Sequence, residues 1–369
     1  MTDAYADRAR RMAAMRGCDR VLSGVRPVSM AEHLDAVRAT LAPDALPDFY
    51  GEGGPVEALE LRVAELLGTE AAVFFPTGTM AQQVAVRYGA ELTGSTAVGL
   101  HPLSHLMLHE GDAYAVLGGL RAVRTTTAPR NPTAEEVAEL AEPIGTLLLE
   151  LPLRDAGFVL PTWDELVDVV AAARDAGARV HLDGARLWES TPHLGRPTAA
   201  IAALADSTYV SFYKSIEGIS GAALAGDAGL VRYARDWRHR YGGALFQQWP
   251  AAAAALVGLD RELPRLPRCV AHATAVAAAL AGLPGARVYP TPPHTHQFRL
   301  WLPHSADRLN AANLALAEEE GAWFVGGWQD TEVPDLAMAE VTVAAPALDL
   351  DAAQVADLGA RFLRRLPPT

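Results

Sequence analysis

The stretch Arg179-Val180-His181-Leu182-Asp183-Gly184-Ala185-Arg186-Leu187-Trp188 carries a short apolar strand straight into a carboxylate, a glycine and an arginine. Two other stretches share that plan. Ala71 to Phe75 is an apolar strand that runs into Thr77-Gly78-Thr79 and then a helical segment from Met80 to Tyr88, and Thr208 to Phe212 is a strand that ends just before Lys214. Thr146 to Leu151 reads as a further strand of the buried type. Helical patterns lie between them. Val56, Leu59, Val63, Leu66 and Leu67 form one stripe, with Gly68 as its stop, and Thr162 with Glu165 is a capping box opening a helix that ends near Gly177. Strands alternating with helices predict an α/β fold with a mainly parallel sheet and right-handed crossovers. Ligand groups gather at the carboxyl ends of such strands. Thr77, Asp183 and Lys214 each stand at or just past one.

Working outward, 369 residues suit one large α/β unit and a smaller companion. From about Pro250 the pattern turns to an alanine-rich helix and then to short strand-like runs around 298–302 and 339–343. We therefore expect a large domain at 46–249, carrying these strand ends, and a small C-terminal domain at 250–369. Residues 1–45 are expected to be an N-terminal segment packing on the small domain or on a partner subunit. Half of the residues are hydrophobic and a fifth are charged, as in soluble globular proteins. A net charge of −13 would repel a phosphate backbone, which argues against nucleic acid as a partner. Cys18 and Cys269 are the only cysteines, so a disulfide framework or zinc-thiolate site is not expected. The first twenty residues mix Asp with Arg and hold no long apolar stretch, which predicts no membrane span and a cytoplasmic protein.

A lysine placed directly after an apolar strand is costly to bury while charged. Burial lowers its pKa and makes the amine a nucleophile, as a Schiff base requires. The same position also suits a lysine whose amine reaches from the strand end to solvent. Asp183 fits a carboxylate held against a pyridine nitrogen, keeping it protonated so that the ring can accept electrons from a carbanion. At about 4 Å and an effective dielectric of about 20, that ion pair contributes roughly 4 kcal/mol before desolvation. Capping of the next turn is the other use of a strand-end Asp. Arg186 could offer a fork to a substrate carboxylate or to a cofactor's ring oxygen, or form a surface salt bridge. Thr77, Gly78 and Thr79 make a phosphate cup of free N–H groups, helix dipole and hydroxyls.

His101, His105 and His109 are spaced four apart, which on a helix puts three imidazoles on one face and raises the question of a metal. Pro102 interrupts the run and no acidic ligands accompany it, so no metal site is expected. His105 is better used as a ring stacked on the cofactor or as a base near its reactive carbon. No Gly-x-Gly-x-x-Gly turn, P-loop or Gly-x-Ser-x-Gly elbow is present.

Taken in order, these segments resemble the low-specificity threonine aldolases within the β-eliminating lyase family of fold-type-I pyridoxal phosphate (PLP) enzymes. The matching stretches are Tyr50-Gly51-Glu52, Val56 to Gly68, Phe75 to Ala81, His105 to Glu110 and Val116-Leu117-Gly118. Leu149-Glu150, His181 to Trp188, the Lys214 segment and Trp237-Arg238 through Tyr241-Gly242-Gly243 complete them. The resemblance implies a fold-type-I transferase-like α/β fold with a seven-stranded type of sheet and a small α+β C-terminal domain. It implies PLP on Lys214, Asp183 on the pyridine nitrogen and Arg186 on cofactor or carboxylate. Thr77, Gly78 and Thr79 would hold the phosphate, and His105 would stack on the ring. It also implies a homodimer or homotetramer with shared active sites, to which Tyr50 and Arg240 are candidate cross-subunit contributors.

The chain departs from the family pattern at several points. The usual Asp-Asp-Pro-Thr after Tyr-Gly is Glu52-Gly53-Gly54-Pro55, and the lysine loop reads Tyr213-Lys214-Ser215-Ile216-Glu217-Gly218-Ile219. Glu-Asn-Thr-His is Glu150-Leu151-Pro152-Leu153, which removes the second active-site histidine. Gly-Gly-Gly-Met-Arg-Gln becomes Gly242-Gly243-Ala244-Leu245-Phe246-Gln247. The C-terminal arginine that grips the substrate carboxylate is missing from Met338 to Val343, and Arg154 or Arg299 is expected to substitute. A charged hydrogen bond of that kind contributes roughly 1.5–3 kcal/mol. The expected reaction is cleavage of the Cα–Cβ bond of a β-hydroxy-α-amino acid to glycine and an aldehyde. β-Elimination, racemisation, transaldolation or a non-catalytic amino-acid-binding homologue are the alternatives.

Overall fold

The computed structural model describes residues 3–367, so Met1, Thr2, Pro368 and Thr369 of the expected terminal segments lie outside it. The chain forms two compact units. One is Leu34–Pro264; the other joins the N-terminal residues through His33 to those from Arg265 onward. The boundaries thus fall at 33/34 and 264/265, where the sequence reading placed them at 45/46 and 249/250. Packing explains both shifts. Val37 and Leu41 close over Trp249, Ala253 and Ala254, and Gly258 presses so tightly on the lysine loop that a Cβ there would lie 2.0 Å from the Ile216 carbonyl oxygen. Both segments therefore belong to the larger unit.

The larger unit is built on seven strands: β1 (Ala71–Phe75), β2 (Ala97–Leu100), β3 (Arg121–Arg124), β4 (Thr146–Glu150), β5 (Arg179–Gly184), β6 (Ser207–Ser211) and β7 (Ala222–Gly226). Their order in the sheet is β1-β7-β6-β5-β4-β2-β3. β7 runs antiparallel to both neighbours and the other pairings are parallel. The inner strands are buried on both faces, as a mainly parallel sheet requires: every residue of β2, β4, β6 and β7 is buried, whereas the edge strand β3, Arg-Ala-Val-Arg, is largely exposed.

Several helix ends fall where the sequence signals place them, although the segment expected from Met80 to Tyr88 extends over Gly78–Thr93 and stops at Gly94. α1 (Gly54–Leu67) ends on Gly68 in the left-handed conformation, φ 62°. α2 (Gly78–Thr93) is capped by the Thr77 side chain. The capping box of Thr162 and Glu165 opens Trp163–Asp175. Val73, Phe75, Val84, Tyr209, Leu224 and Leu230 form a core where α2 meets the sheet. A buried staple lies beside it: Glu60 of α1 accepts the Phe74 N–H at 2.8 Å and an Arg235 bond at 2.7 Å. Arg238 reaches the Phe74 carbonyl at 2.7 Å and the Tyr50 carbonyl at 3.3 Å. Gly51, at φ 84°, leaves no room for a side chain: a Cβ would stand 2.6 Å from an Arg238 nitrogen. The Tyr50-Gly51 and Trp237-Arg238 stretches thus have a shared structural role.

The smaller unit carries a four-stranded antiparallel sheet in the order 329–330, 337–342, 297–302, 287–289. Phe298, Leu300, Leu302, Phe324, Val341 and Phe362 lie in its core. Arg10, in the N-terminal helix, pairs with Glu318 at 2.9 Å. Among the described residues no helix is long and apolar enough to cross a membrane.

Candidate active site

The loop from β6 to β7 folds back on itself to present Lys214. The Gly218 N–H donates to the Phe212 carbonyl at 2.6 Å and the Glu217 N–H to the Lys214 carbonyl at 3.0 Å. Phe212 and Ile216 are fully buried anchors on either side. Lys214 itself is half-buried. Desolvation, helped by the neighbouring Arg186 charge and opposed by Asp183 and Glu150, pulls its amine pKa down to about 8. That brings an appreciable fraction of free amine into the neutral range.

Asp183 stands at the end of β5, 1 % exposed, and its Oδ1 accepts the Ala185 N–H at 3.1 Å. Tyr209 is its partner across the β5–β6 register. The Tyr209 hydroxyl reaches the start of α2, where a Cβ on Gly78 would lie 2.2 Å from it. Thr77 Oγ1 accepts the Met80 N–H at 3.3 Å, so its lone pair serves the cap, and Gly78 and Thr79 keep the free N–H groups of the first turn. Arg186 leans on the Phe158 ring at 5.4 Å, and its Nε is buried without a hydrogen-bond partner.

His105 opens the four-residue helix α3 (His105–Leu108). Its main-chain N–H donates to Glu150 Oε2 at 2.7 Å, and its Nδ1 stands 3.1 Å from Glu110 Oε1. Gln83 donates to the other Glu110 oxygen at 2.8 Å. The Glu110 bond raises the His105 pKa against desolvation. Glu150 also accepts the Arg154 N–H at 3.2 Å; burial, and then the Asp183 carboxylate, push its pKa up.

The three histidines do not share a helix face, contrary to their spacing. Ser104 starts α3 late, leaving His101 in the preceding turn with Nε2 on the Ala128 carbonyl at 2.8 Å and Nδ1 accepting the Leu103 N–H at 2.9 Å. His101 is a loop fastener. Arg154 lies 3.7 Å from Asp155. Arg299 belongs to the smaller unit, on strand 297–302, with Glu340 at 3.9 Å across the register. Tyr50 is exposed, packed edge-on against Phe246, and Arg240 is exposed over the Trp237 ring. Among the described residues no group of three His, Cys, Asp or Glu is placed to hold a metal ion.

The family model for beta-eliminating lyases matches residues 27–300. The chain belongs to the beta-eliminating lyase family. Among relatives of this lyase is the low-specificity L-threonine aldolase 1 of Arabidopsis thaliana, 26% identical over 315 residues, covering 82% of this chain and 87% of the relative. A solved Exiguobacterium structure, named as a candidate aromatic amino acid beta-eliminating lyase/threonine aldolase, superposes with a TM-score of 0.89 at 34% identity. It covers 96% of this chain and 99% of its own. A Listeria monocytogenes structure, named as a candidate L-allo-threonine aldolase, gives 0.88 at 33%, covering 98% and 99%. The fold-type-I α/β architecture expected from the sequence is the one found.

Several residues around this lyase's site escaped the sequence reading: Glu110, Tyr209, Glu189 and Ser215. Their signals were faint, because each takes its role from a partner far off in the chain: Gln83 for Glu110, Gly78 for Tyr209, and Glu189 and Ser215 for each other. A stronger signal was available for Lys214. Of the 31 lysines and arginines in the chain it is the only lysine. A chain that uses arginine at every other cationic position retains here the one side chain that can lose its proton and condense with a carbonyl.

Glu189 is fully buried, with Oε1 accepting the Ser215 hydroxyl at 2.6 Å, so it braces the residue after Lys214. Burial raises its pKa from 4.5 to about 7. Over that window the unfolded chain has released a proton that the folded chain keeps, so stability falls as pH rises. The slope is at most roughly 1.4 kcal/mol per unit. Thermal midpoints at pH 5, 6, 7 and 8 should show Glu189→Gln gaining on the wild type as pH rises to about 7; parallel curves would contradict the assignment.

Proposed function

We propose that this chain is a PLP-dependent lyase that cleaves the Cα–Cβ bond of a β-hydroxy-α-amino acid, giving glycine and an aldehyde. The observation that carries the reading is the convergence of one desolvated lysine, Lys214, with the buried carboxylate of Asp183 and the capped start of α2. PLP fits these residues. Tyr209 packs directly on Gly78 and fixes the start of α2, the N–H groups of Gly78 and Thr79 suit its phosphate, and the unpartnered Arg186 Nε awaits an anionic group. The names of the aldolase relatives point to the same substrate class.

Bound there, PLP would supply an electron sink for the pair left on Cα when the bond breaks. Lys214 holds the cofactor and moves a proton at Cα. Asp183 would keep the cofactor's ring nitrogen protonated. His105, oriented by Glu110 and by its own main-chain bond to Glu150, offers a flat ring for stacking. Arg186 and Arg154 are candidates for the substrate carboxylate, and both lie close enough to act on the Lys214 charge. Tyr50, exposed with Phe49, Leu245 and Phe246, supports a homodimer or homotetramer.

Incubation with threonine and phenylserine isomers should yield glycine and the matching aldehyde. Pyruvate and ammonia from serine, with no glycine from any isomer, would favour β-elimination instead. Gly78→Ala should weaken PLP binding about tenfold or more, because its Cβ would push on Tyr209 and shift the start of α2 that offers the N–H groups. An unchanged Kd by absorbance titration would remove Gly78 from the phosphate cup.

A further inference from the structure

The departures from the family pattern leave one chemical task without an owner, the acceptance of the β-hydroxyl proton. Leu153 occupies the position of the family's second histidine, and it is fully buried against Leu103, Ala156 and Val159. His105 is already committed, because its bonds to Glu110 and Glu150 hold its ring for stacking on the cofactor. The same loop nevertheless receives an imidazole from another element. His109, one helical turn beyond His105, places its Nε2 2.8 Å from Oδ2 of Asp155, two residues past Leu153. Its ring centre is 5.2 Å from that of His105, and its side chain is 39 % exposed, so a bound molecule can reach it. Asp155 is itself 18 % exposed and 3.7 Å from Arg154, whose main chain bonds Glu150. His105, His109, Glu150, Arg154 and Asp155 thus form one continuous cluster.

We propose that His109 is the second imidazole of this site and the base for the substrate's β-hydroxyl. The proposal rests on the aldolase reading. The Asp155 carboxylate accepts the Nε2–H and so fixes the tautomer, leaving the Nδ1 lone pair as the proton acceptor. In the step, Nδ1 takes the hydroxyl proton, the oxygen's electrons form the aldehyde C=O, and the Cα–Cβ pair remains on Cα, to be delocalised by the electron sink that PLP would supply. The imidazolium is balanced by Asp155 until its proton passes to water, and Cα is reprotonated to give glycine. The sequence signal was the His101/His105/His109 spacing, of which only the last two members reach the site.

The test compares two reactions of the PLP-loaded protein: cleavage of β-hydroxy amino acids, and exchange of the glycine α-proton in D2O followed by NMR. Only the first needs a hydroxyl base. His109→Asn should lower kcat for cleavage about 100-fold while leaving exchange and the cofactor's absorbance within about twofold. Asp155→Asn should lower cleavage in the same selective way, by less. Cleavage within about threefold of wild type in His109→Asn would overturn the proposal, as would a parallel loss of cleavage and exchange. A wild type that releases no glycine from any isomer would instead remove the aldolase reading beneath it.

Discussion

Lys214→Ala is expected to lower kcat for cleavage by on the order of 10³-fold or more, because in the proposed role Lys214 is both the covalent tether of the cofactor and a proton carrier at Cα. Lys214→Arg should do no better. A guanidinium keeps the positive charge but stays protonated and cannot condense with an aldehyde. The uptake of PLP by the cofactor-free wild type should follow the amine. Burial brings its pKa down to about 8, so the protonated form prevails below that value and the rate should climb from pH 7 toward pH 9. A pH-independent uptake rate, or a Lys214→Ala protein with near wild-type turnover, would show that the lysine loop is structural.

Asp183→Asn is the second large effect, expected at about 10²- to 10³-fold in kcat. The amide oxygen can still accept the Ala185 N–H, so the strand end keeps its geometry. What is lost is the negative charge that, in the proposed role, would keep the ring nitrogen protonated so that the ring can withdraw electrons. PLP should still bind, with an altered absorption spectrum and slower glycine α-proton exchange. This pattern differs from that of His109→Asn, in which exchange survives. Asp183→Asn retaining wild-type exchange would leave the carboxylate as a turn cap, the other use open to a strand-end Asp.

Much of the fold was legible because its signals are local. Apolar strands such as 71–75 and 146–150 are buried on both faces and stand out in any window, and Gly68, Thr77 and the Thr162/Glu165 box mark helix ends through single-residue chemistry. Strand ends were read to within a residue or two. The unit boundaries were less legible, since they depend on whether Gly258 meets Ile216 and Val37 meets Trp249, contacts between residues far apart in the chain. The same applies to the site. Asp183 and Lys214 follow their strands directly and could be found. Tyr209 and Glu189 acquire meaning only when Gly78 and Ser215 are brought to them. The histidine spacing misled in one respect: Ser104 starts α3 after His101, so a regular period of four spans a loop and a helix.

Because Lys214 is the only lysine, the central claim has a direct chemical test. The purified chain is loaded with PLP, reduced with borohydride, digested and mapped by mass spectrometry. The account predicts one phosphopyridoxyl group per chain, on the peptide containing Tyr213-Lys214-Ser215, and a visible absorption band before reduction that Lys214→Ala lacks. A chain that remains colourless and unlabelled with excess PLP, or that carries the label only on its terminal amine, would contradict it.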